Sequence, residues 1–375
     1  MKTTARAYTV PTERPESDGT LGWDSTTIVV VEIEADGRRG LGYTYSDAAA
    51  ARVIEGVLAP VLEDADPTAP PMAWAAMRRA VRNLGGQGIA AMAIAAVDIA
   101  LWDLRAKLLG LALADSLGRH RESIGAYGSG GFTSIEGEEL AAQLGGWARE
   151  GFAAVKMKVG RDPARDADRL ATARGAIGPA VRLMVDANGA FDRREALRQA
   201  QLYDDFDVSW LEEPVSSEDL DGLAWLRDRV PAGIEVAAGE YLWDAAEAGR
   251  MAPCVDTLQV DPTRCLGITG ARLLDGICAA QGIPLSAHCA PQVSAHLCCA
   301  LERAVHVEYF HDHARLESML FEGTIVPVEG RLRPDRGRPG LGLTLRDEAA
   351  RFLESDGASS AQGVPPRDHE EKERR

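Results

Sequence analysis

RLMVDANG (182–189), VSWLEEP (208–214) and IEVAAGE (234–240) repeat one construction, a short apolar run that ends in a carboxylate: Asp186, Glu212 and Glu240. Apolar runs of this length bounded by turn residues read as strands buried on both faces. Asp186 to Glu212 is 26 residues and Glu212 to Glu240 is 28, about one strand, one loop and one helix. Carboxylates ending three successive strands converge at one mouth, where like charges repel unless a cation lies between them. The plainer reading, three helix caps or loop acids paired with arginines, suits each residue alone but not the joint pattern. All three donors are hard oxygens and no Cys or His joins them, which favours Mg2+ (or Mn2+) over zinc.

Outward from this stretch the alternation continues. Candidate strands end near Ser129, Lys158, Asp186, Glu212, Glu240, Asp261, His288 and Glu308, at intervals of 20 to 29 residues. Helical patterns fill intervals such as Glu138–Glu150, Pro163–Ile177, Arg193–Asp204 and Thr269–Ala280. Eight such beats predict an α/β fold of (β/α)8-barrel type rather than a doubly wound sheet, and no G-x-G-x-x-G follows a strand. No good eighth barrel helix is legible after Glu308. Residues 330–342 read as irregular, and Arg346–Glu354 as a short helix returning to the first domain.

Ahead of the barrel, Ala5–Val10, Thr26–Ala35 and Leu41–Tyr45 read as a β-meander with an Asp36-Gly37 turn. Pro11–Asp24, with two prolines and two glycines, reads as a mobile loop that carries Trp23. Helices are expected at 47–59, 71–84 and 88–109, punctuated by Pro60, Pro70-Pro71 and Gly85-Gly86. The expected organisation is an α+β capping domain over 1–120, a barrel over 121–330, a C-terminal return over 331–356 and a disordered tail over 357–375.

With 375 residues, 46% of them apolar, the chain can bury a large core. It shows no leader-like apolar start and no 18-residue apolar run, so a soluble cytoplasmic protein is expected. A net charge of −16 argues against nucleic acid and anionic membranes as partners. The six cysteines form no CxxC pair and read as reduced packing residues.

In a closed barrel every strand end surrounds one point. Lys156 and Lys158 in AVKMKVG sit two apart and share the inner face. A lysine beside another cation has its ammonium form disfavoured and can act as a base. Lys158 is the candidate base and Lys156 the candidate for a substrate carboxylate. Asp261 and His288 end neighbouring strands, and a carboxylate beside an imidazole sets its tautomer and raises its basicity. His296, His306, His311 and His313 are rivals, but none follows an apolar run with an acid one strand away. Lys158 and His288 lie three strands apart around eight and should approach substrate from opposite sides. Glu308, if protonated, Asn188 and Trp23 are further substrate contacts, and Glu213 supports Glu212.

Together these residues resemble the enolase superfamily, specifically its mandelate racemase subgroup (mandelate racemase/muconate lactonizing enzyme-like). The match spans nearly the whole chain: K-x-K at Lys156/Lys158, VDANG at Asp186, LEEP at Glu212, AAGE at Glu240, QVDPTRCLGITG at Asp261 and SAH at His288. The resemblance implies a modified TIM barrel, (β/α)7β, with a capping domain whose 11–24 loop closes the site. It implies one Mg2+ per subunit, a small-molecule carboxylate substrate and a homo-oligomer (dimer to octamer). It also implies removal of a proton α to the carboxylate through an enediolate. The expected reaction is dehydration of an aldonate or aldarate to a 2-keto-3-deoxy acid. The alternative is racemisation or epimerisation of an α-hydroxy acid by the same two groups, and a catalytically silent scaffold is disfavoured because every ligand and acid–base group is present. Leu266 departs from the pattern, standing where many relatives have glycine.

Overall fold

The apolar run in the middle of TTIVVVEIEA (26–35) becomes the central strand of a three-stranded antiparallel sheet, β1 (Lys2–Ser17), β2 (Gly22–Ala35) and β3 (Arg38–Tyr45). Both faces of β2 are buried, with the period of two that a strand imposes. Val29, Val31 and Ile33 pack on the capping helices, whereas Ile28 and Val30 join the core shared with the barrel. The computed structural model describes residues 1–354. The disordered tail expected over 357–375 lies outside the described residues.

Helices follow the sheet: α1 (Ala49–Val53), a π-helical turn (Ile54–Leu58), α2 (Ala59–Leu62), α3 (Pro70–Ala80), α4 (Ile89–Leu108) and α5 (Leu113–Leu117). The long α4 lies so close to β3 that a side chain at Gly40 or Gly42 would run into the carbonyls of Ala100 and Ala96, 2.2 Å away in each case. Its two acids are structural. Asp103 accepts the backbone N–H groups of Leu41 and Leu341 at 2.7 and 2.6 Å. Asp98 accepts from Thr269 N–H and hydroxyl at 2.8 and 2.7 Å, pinning the barrel to the cap.

From residue 124 the chain alternates β4 (Ile124–Gly130), α6 (Gly137–Arg149), β5 (Ala154–Lys158), α7 (Pro163–Ile177), β6 (Arg182–Asp186), α8 (Arg193–Asp204), β7 (Val208–Glu212) and α9 (Leu220–Arg227). It continues with β8 (Glu235–Ala238), α10 (Ala245–Met251), β9 (Thr257–Val260), α11 (Gly267–Gln281), β10 (Leu285–Ala287), α12 (Pro291–Ala300) and β11 (Ala304–Phe310). These eight strands pair in parallel and in order, and β11 returns to pair with β4, closing the barrel. Inside it, Tyr127, Met184 and Trp210 form a buried layer that fills the axis. One residue-pair further along β6 and β7, the same face presents Asp186 and Glu212.

Three expectations are corrected. Pro11–Asp24 is not a loose loop: β1 runs on to Ser17 and β2 begins at Gly22, so most of it is a β-hairpin with an irregular register between Pro11 and Glu16. Its prolines are tolerated because β1 is an edge strand bulged there. A helix does follow β11, α13 (His311–Leu320), at the eighth barrel position. Its Asp312 and Glu317 face inward and bond Thr26, Tyr43 and Tyr45 of the cap sheet, so these acids interrupt the buried side on which Leu316 and Leu320 join the core. The helix predicted to stop before Pro60 passes through it by way of the π-helical turn. Further on, residues 331–332 pair with β4, and Leu353 bridges to Tyr8 of β1.

Candidate active site

Strand geometry delivers the carboxylates to one place. Asp186 and Glu212 close β6 and β7, while Glu240 follows β8 after Gly239. A side chain at Gly239 would meet the carbonyl of Gln259 at 2.4 Å, so the chain turns tightly against β9 there. Oxygens of all three acids lie within 4.8 Å of one another, and all three residues are buried. Burial and the Asp186 charge push the Glu212 carboxyl up to about 8. Three buried carboxylates gathered this closely fit a divalent cation with hard-oxygen preference. Trp210 Nε1 donates to Glu212 at 2.9 Å, a supporting contact the sequence reading missed. Glu213, expected beside Glu212, is buried and held well above the usual carboxylate range, chiefly by burial and by Glu240.

Lys156 and Lys158 point inward together, and Met157 between them packs outward in the main core. Lys158 Nζ contacts Asp186 at 2.5 Å. Burial is the largest influence and disfavours its ammonium form, but Asp186, Glu240 and Glu212 together outweigh this and hold the group protonated above the ordinary lysine value. The expectation of a disfavoured ammonium therefore does not describe the chain by itself, because the carboxylates facing Lys158 are uncompensated. Lys156 donates to Glu212 at 2.5 Å and contacts Glu308 at 2.9 Å and Asp186 at 3.5 Å. Its charge is engaged by three acids below the cavity lining, not by open space.

His288 Nδ1 lies 2.8 Å from Asp261 Oδ2, and the other Asp261 oxygen accepts from Thr263 N–H and hydroxyl at 2.7 Å each. The bond sets the tautomer and turns Nε2 towards the centre, 3.0 Å from Glu240. Burial favours the neutral ring, but Cys289, Glu240 and Glu308 together with Asp261 hold His288 well above the ordinary histidine range. Glu308 accepts from Ser129 at 2.6 Å and is kept ionised, burial notwithstanding, mainly by Lys156. It is not the protonated donor that one sequence reading required.

Above these groups opens a cavity of about 280 Å³, with Lys158, Asn188, Glu240, His288 and Glu308 among its lining. The Asn188 amide oxygen is buried without a hydrogen-bond partner. Trp23 also lines the cavity, with Nε1 on Glu16 at 3.0 Å and its ring edge-on to Phe132. Of the rival histidines only His313, stacked on Tyr45, joins the lining. His296 and His306 are held by Ala114 N–H and Ser286, and His311 is half-buried beside Glu13. The sequence reading also missed Arg264, 3.5 Å from Glu240, and Cys289; no spacing signalled either.

The comparisons agree with this arrangement. Residues 2–118 match the mandelate racemase / muconate lactonizing enzyme N-terminal domain, and residues 139–349 the enolase C-terminal domain-like family. The chain belongs to the mandelate racemase/muconate lactonizing enzyme family of the enolase superfamily. Among family members, an L-talarate/galactarate dehydratase of Salmonella typhimurium is 32% identical over 87% of this chain and 82% of its own. A mandelate racemase/muconate lactonizing enzyme-like protein from Rubrobacter xylanophilus superposes with TM-score 0.93 at 56% identity, covering 94% of this chain and 99% of that one. An L-talarate dehydratase from Polaromonas sp., solved with Mg and L-glucarate, gives 0.85 at 32% identity over 94% and 96%. Curated relatives in this family are acid-sugar dehydratases and cycloisomerases. No helix among the described residues is long and apolar enough to cross a membrane.

Proposed function

We propose that this enzyme is a Mg2+-dependent acid-sugar dehydratase acting on an aldonate or aldarate. One observation carries the reading: Lys158 stands against Asp186 and His288 against Glu240, two members of one buried carboxylate trio, and Lys158, His288 and Glu240 line one cavity. Asp186, Glu212 and Glu240 hold the metal, which when bound supplies positive charge to the oxygens of a substrate carboxylate and so acidifies the adjacent C–H. The residues then divide the work. One of Lys158 and His288 takes the α-proton, and Lys158 is suited to this once the charge of Asp186 is compensated. His288, carrying its proton on Nε2 with Nδ1 held by Asp261, protonates the departing β-hydroxyl. The C–H and C–O bonds break, water leaves, and the resulting enol tautomerises to a 2-keto-3-deoxy acid. Asn188, with its free amide oxygen, and Trp23 hold the sugar chain. The dehydratase names and the Mg-bound complex among the relatives support this choice.

The opposed placement of Lys158 and His288 also suits a two-base racemase or epimerase, so the test separates the two. Metal-stripped protein is screened against acid sugars with and without Mg2+, scoring 2-keto product, and Lys158→Ala and His288→Asn are assayed for α-proton exchange in D2O. We expect keto acid only with Mg2+, none from either variant, and exchange surviving in the variant that retains the proton-abstracting group. Glu212→Gln should fold and bind metal far more weakly. Mirror-image exchange of two enantiomers by the two variants, with no keto acid from the unaltered enzyme, would establish the racemase. Full activity in stripped protein would remove the metal assignment.

A further inference from the structure

After β10 the chain passes through two consecutive left-handed residues, Cys289 (φ 49°) and Ala290 (φ 43°). This turn brings the Cys289 side chain back over its neighbour. Its Sγ lies 3.2 Å from His288 Nε2 and 3.5 Å from Glu308 Oε2, and those two atoms are 3.6 Å apart. All three residues are buried, and all three line the cavity.

The triangle has the dimensions of a face of a zinc tetrahedron. Bonds of about 2.3 Å to sulfur, 2.0–2.1 Å to nitrogen and 2.0–2.2 Å to oxygen, set at tetrahedral angles, place the donors roughly 3.3–3.6 Å apart. The supporting contacts are also those of a metal site. His288 is backed through Nδ1 by Asp261, the carboxylate–histidine arrangement that orients a ligating ring, and Glu308 is backed by Ser129 and Lys156. One thiol, one imidazole and one carboxylate suit a borderline-soft ion, unlike the all-oxygen trio beside them.

We propose that His288, Cys289 and Glu308 form a second cation site, for a thiophilic divalent ion such as Zn2+ or Cd2+, and that filling it stops turnover. On binding, the Cys289 thiol and the His288 Nε2–H each give a proton to solvent as Sγ and Nε2 ligate the ion. The Nε2 lone pair goes to the ion too, so the ring no longer carries a proton to or from substrate. The fourth coordination position faces the cavity. The inhibitory half rests on His288 as the acid–base group; the existence of the site does not.

The full-length protein, saturated with Mg2+, is titrated with Cd2+ and followed by the ultraviolet thiolate–cadmium band, and with Zn2+ and followed by turnover. The expected result is a band that saturates at one ion per chain and vanishes in Cys289→Ser. The half-inhibitory Zn2+ concentration should rise at least ~100-fold in that variant, beyond the ~10–100-fold that losing a mere supporting group costs. Should Cys289→Ser not fold, anomalous diffraction from the unaltered protein soaked in Zn2+ decides: the proposal requires a peak bounded by the three side chains. A band of unchanged size in Cys289→Ser, or a peak confined to Asp186, Glu212 and Glu240, overturns the site. If that happens while His288→Asn is inactive, the acid–base assignment still stands. A filled site with undiminished turnover overturns the inhibitory role, and with it the assignment of His288.

Discussion

At the scale of single residues, the proposed chemistry turns on the Asp261–His288 pair, joined at 2.8 Å. Asp261 has no route to substrate, because one oxygen is on His288 and the other is occupied twice by Thr263. It is a positioning residue whose carboxylate favours the protonated ring. Asp261→Asn should lower kcat by at least ~10²-fold, the ordinary scale of an acid–base contribution. Losing the negative charge lets the ring release its proton at lower pH, so the alkaline limb of the pH–rate profile should move down. Mg2+ affinity should barely change, since Asp261 is outside the trio. An unmoved profile with only a raised KM would show the pair to be structural.

The hairpin joining β1 to β2 is the element that closes the mouth. Ser17 and Asp18 at its tip bond Thr133 through backbone and hydroxyl groups at 2.6 to 2.9 Å. At Gly19 a side chain would meet the carbonyls of Ala187 and Val159 at 2.6 and 2.7 Å. The tip therefore rests on the loops that follow β5 and β6. Gly19→Ala should prop it open. Overpacking on the scale of ~1–3 kcal/mol predicts a loss in kcat/KM of about tenfold or more, carried by KM, with little change in unfolding midpoint. An equal loss of Tm would place Gly19 in the fold rather than in the closure. At the N-terminus of α11, Leu266 sits in a left-handed conformation (φ 64°), which costs ~1–2 kcal/mol without glycine. Its side chain nonetheless packs into the capping core, and its carbonyl accepts from Trp74 at 2.9 Å. A buried leucine truncated loses ~2–5 kcal/mol, which exceeds the strain relieved. Leu266→Gly should therefore destabilise this chain by ~1–3 kcal/mol in denaturant titrations. A gain in stability would show that strain dominates.

For the whole molecule, buried histidines set the acid side of the stability profile. Burial pushes His296 down to about 4 and leaves its Nδ1 as the acceptor for Ala114 N–H, a role only the neutral ring can fill. His306 and His313 are likewise pushed down, to about 3 in each case. In the unfolded chain these rings take a proton near pH 6.5, which the folded chain refuses until about 4 at His296 and about 3 at His306 and His313. Their stabilisation is complete above pH 6.5 and is lost progressively as pH falls towards 4, by about 2 kcal/mol per ring at pH 5. Buried Asp98 and Glu317, raised to about 7 and about 8, act in the opposite sense and lose stability as pH rises from their unfolded values. The variant His296→Gln isolates one contribution. Its stability should fall less steeply than the parent's between pH 7 and pH 5, and an identical slope would mean that His296 is not held neutral in the folded chain.

Local pattern alone placed the barrel and its charged rim. An apolar run ending in Asp186, Glu212, Glu240, Asp261 or His288 is both the strand and the site, because parallel strands put every C-terminal end at one mouth. The inward pairing of Lys156 with Lys158 follows from the same period of two. Tertiary structure decided what each charge does. Lys156 is held by three acids and Glu308 is kept ionised, outcomes that depend on neighbours 56 and 152 residues away along the chain. The hairpin over 11–24 and α13 escaped local reading because they are tied down by bonds to Thr133, Tyr43 and Thr26 across the domain boundary, and buried Asp312 and Glu317 break the apolar pattern of Leu316 and Leu320. Cys289 looked like one more packing cysteine, since only a left-handed turn after β10, invisible in composition, aims its sulfur at His288 and Glu308.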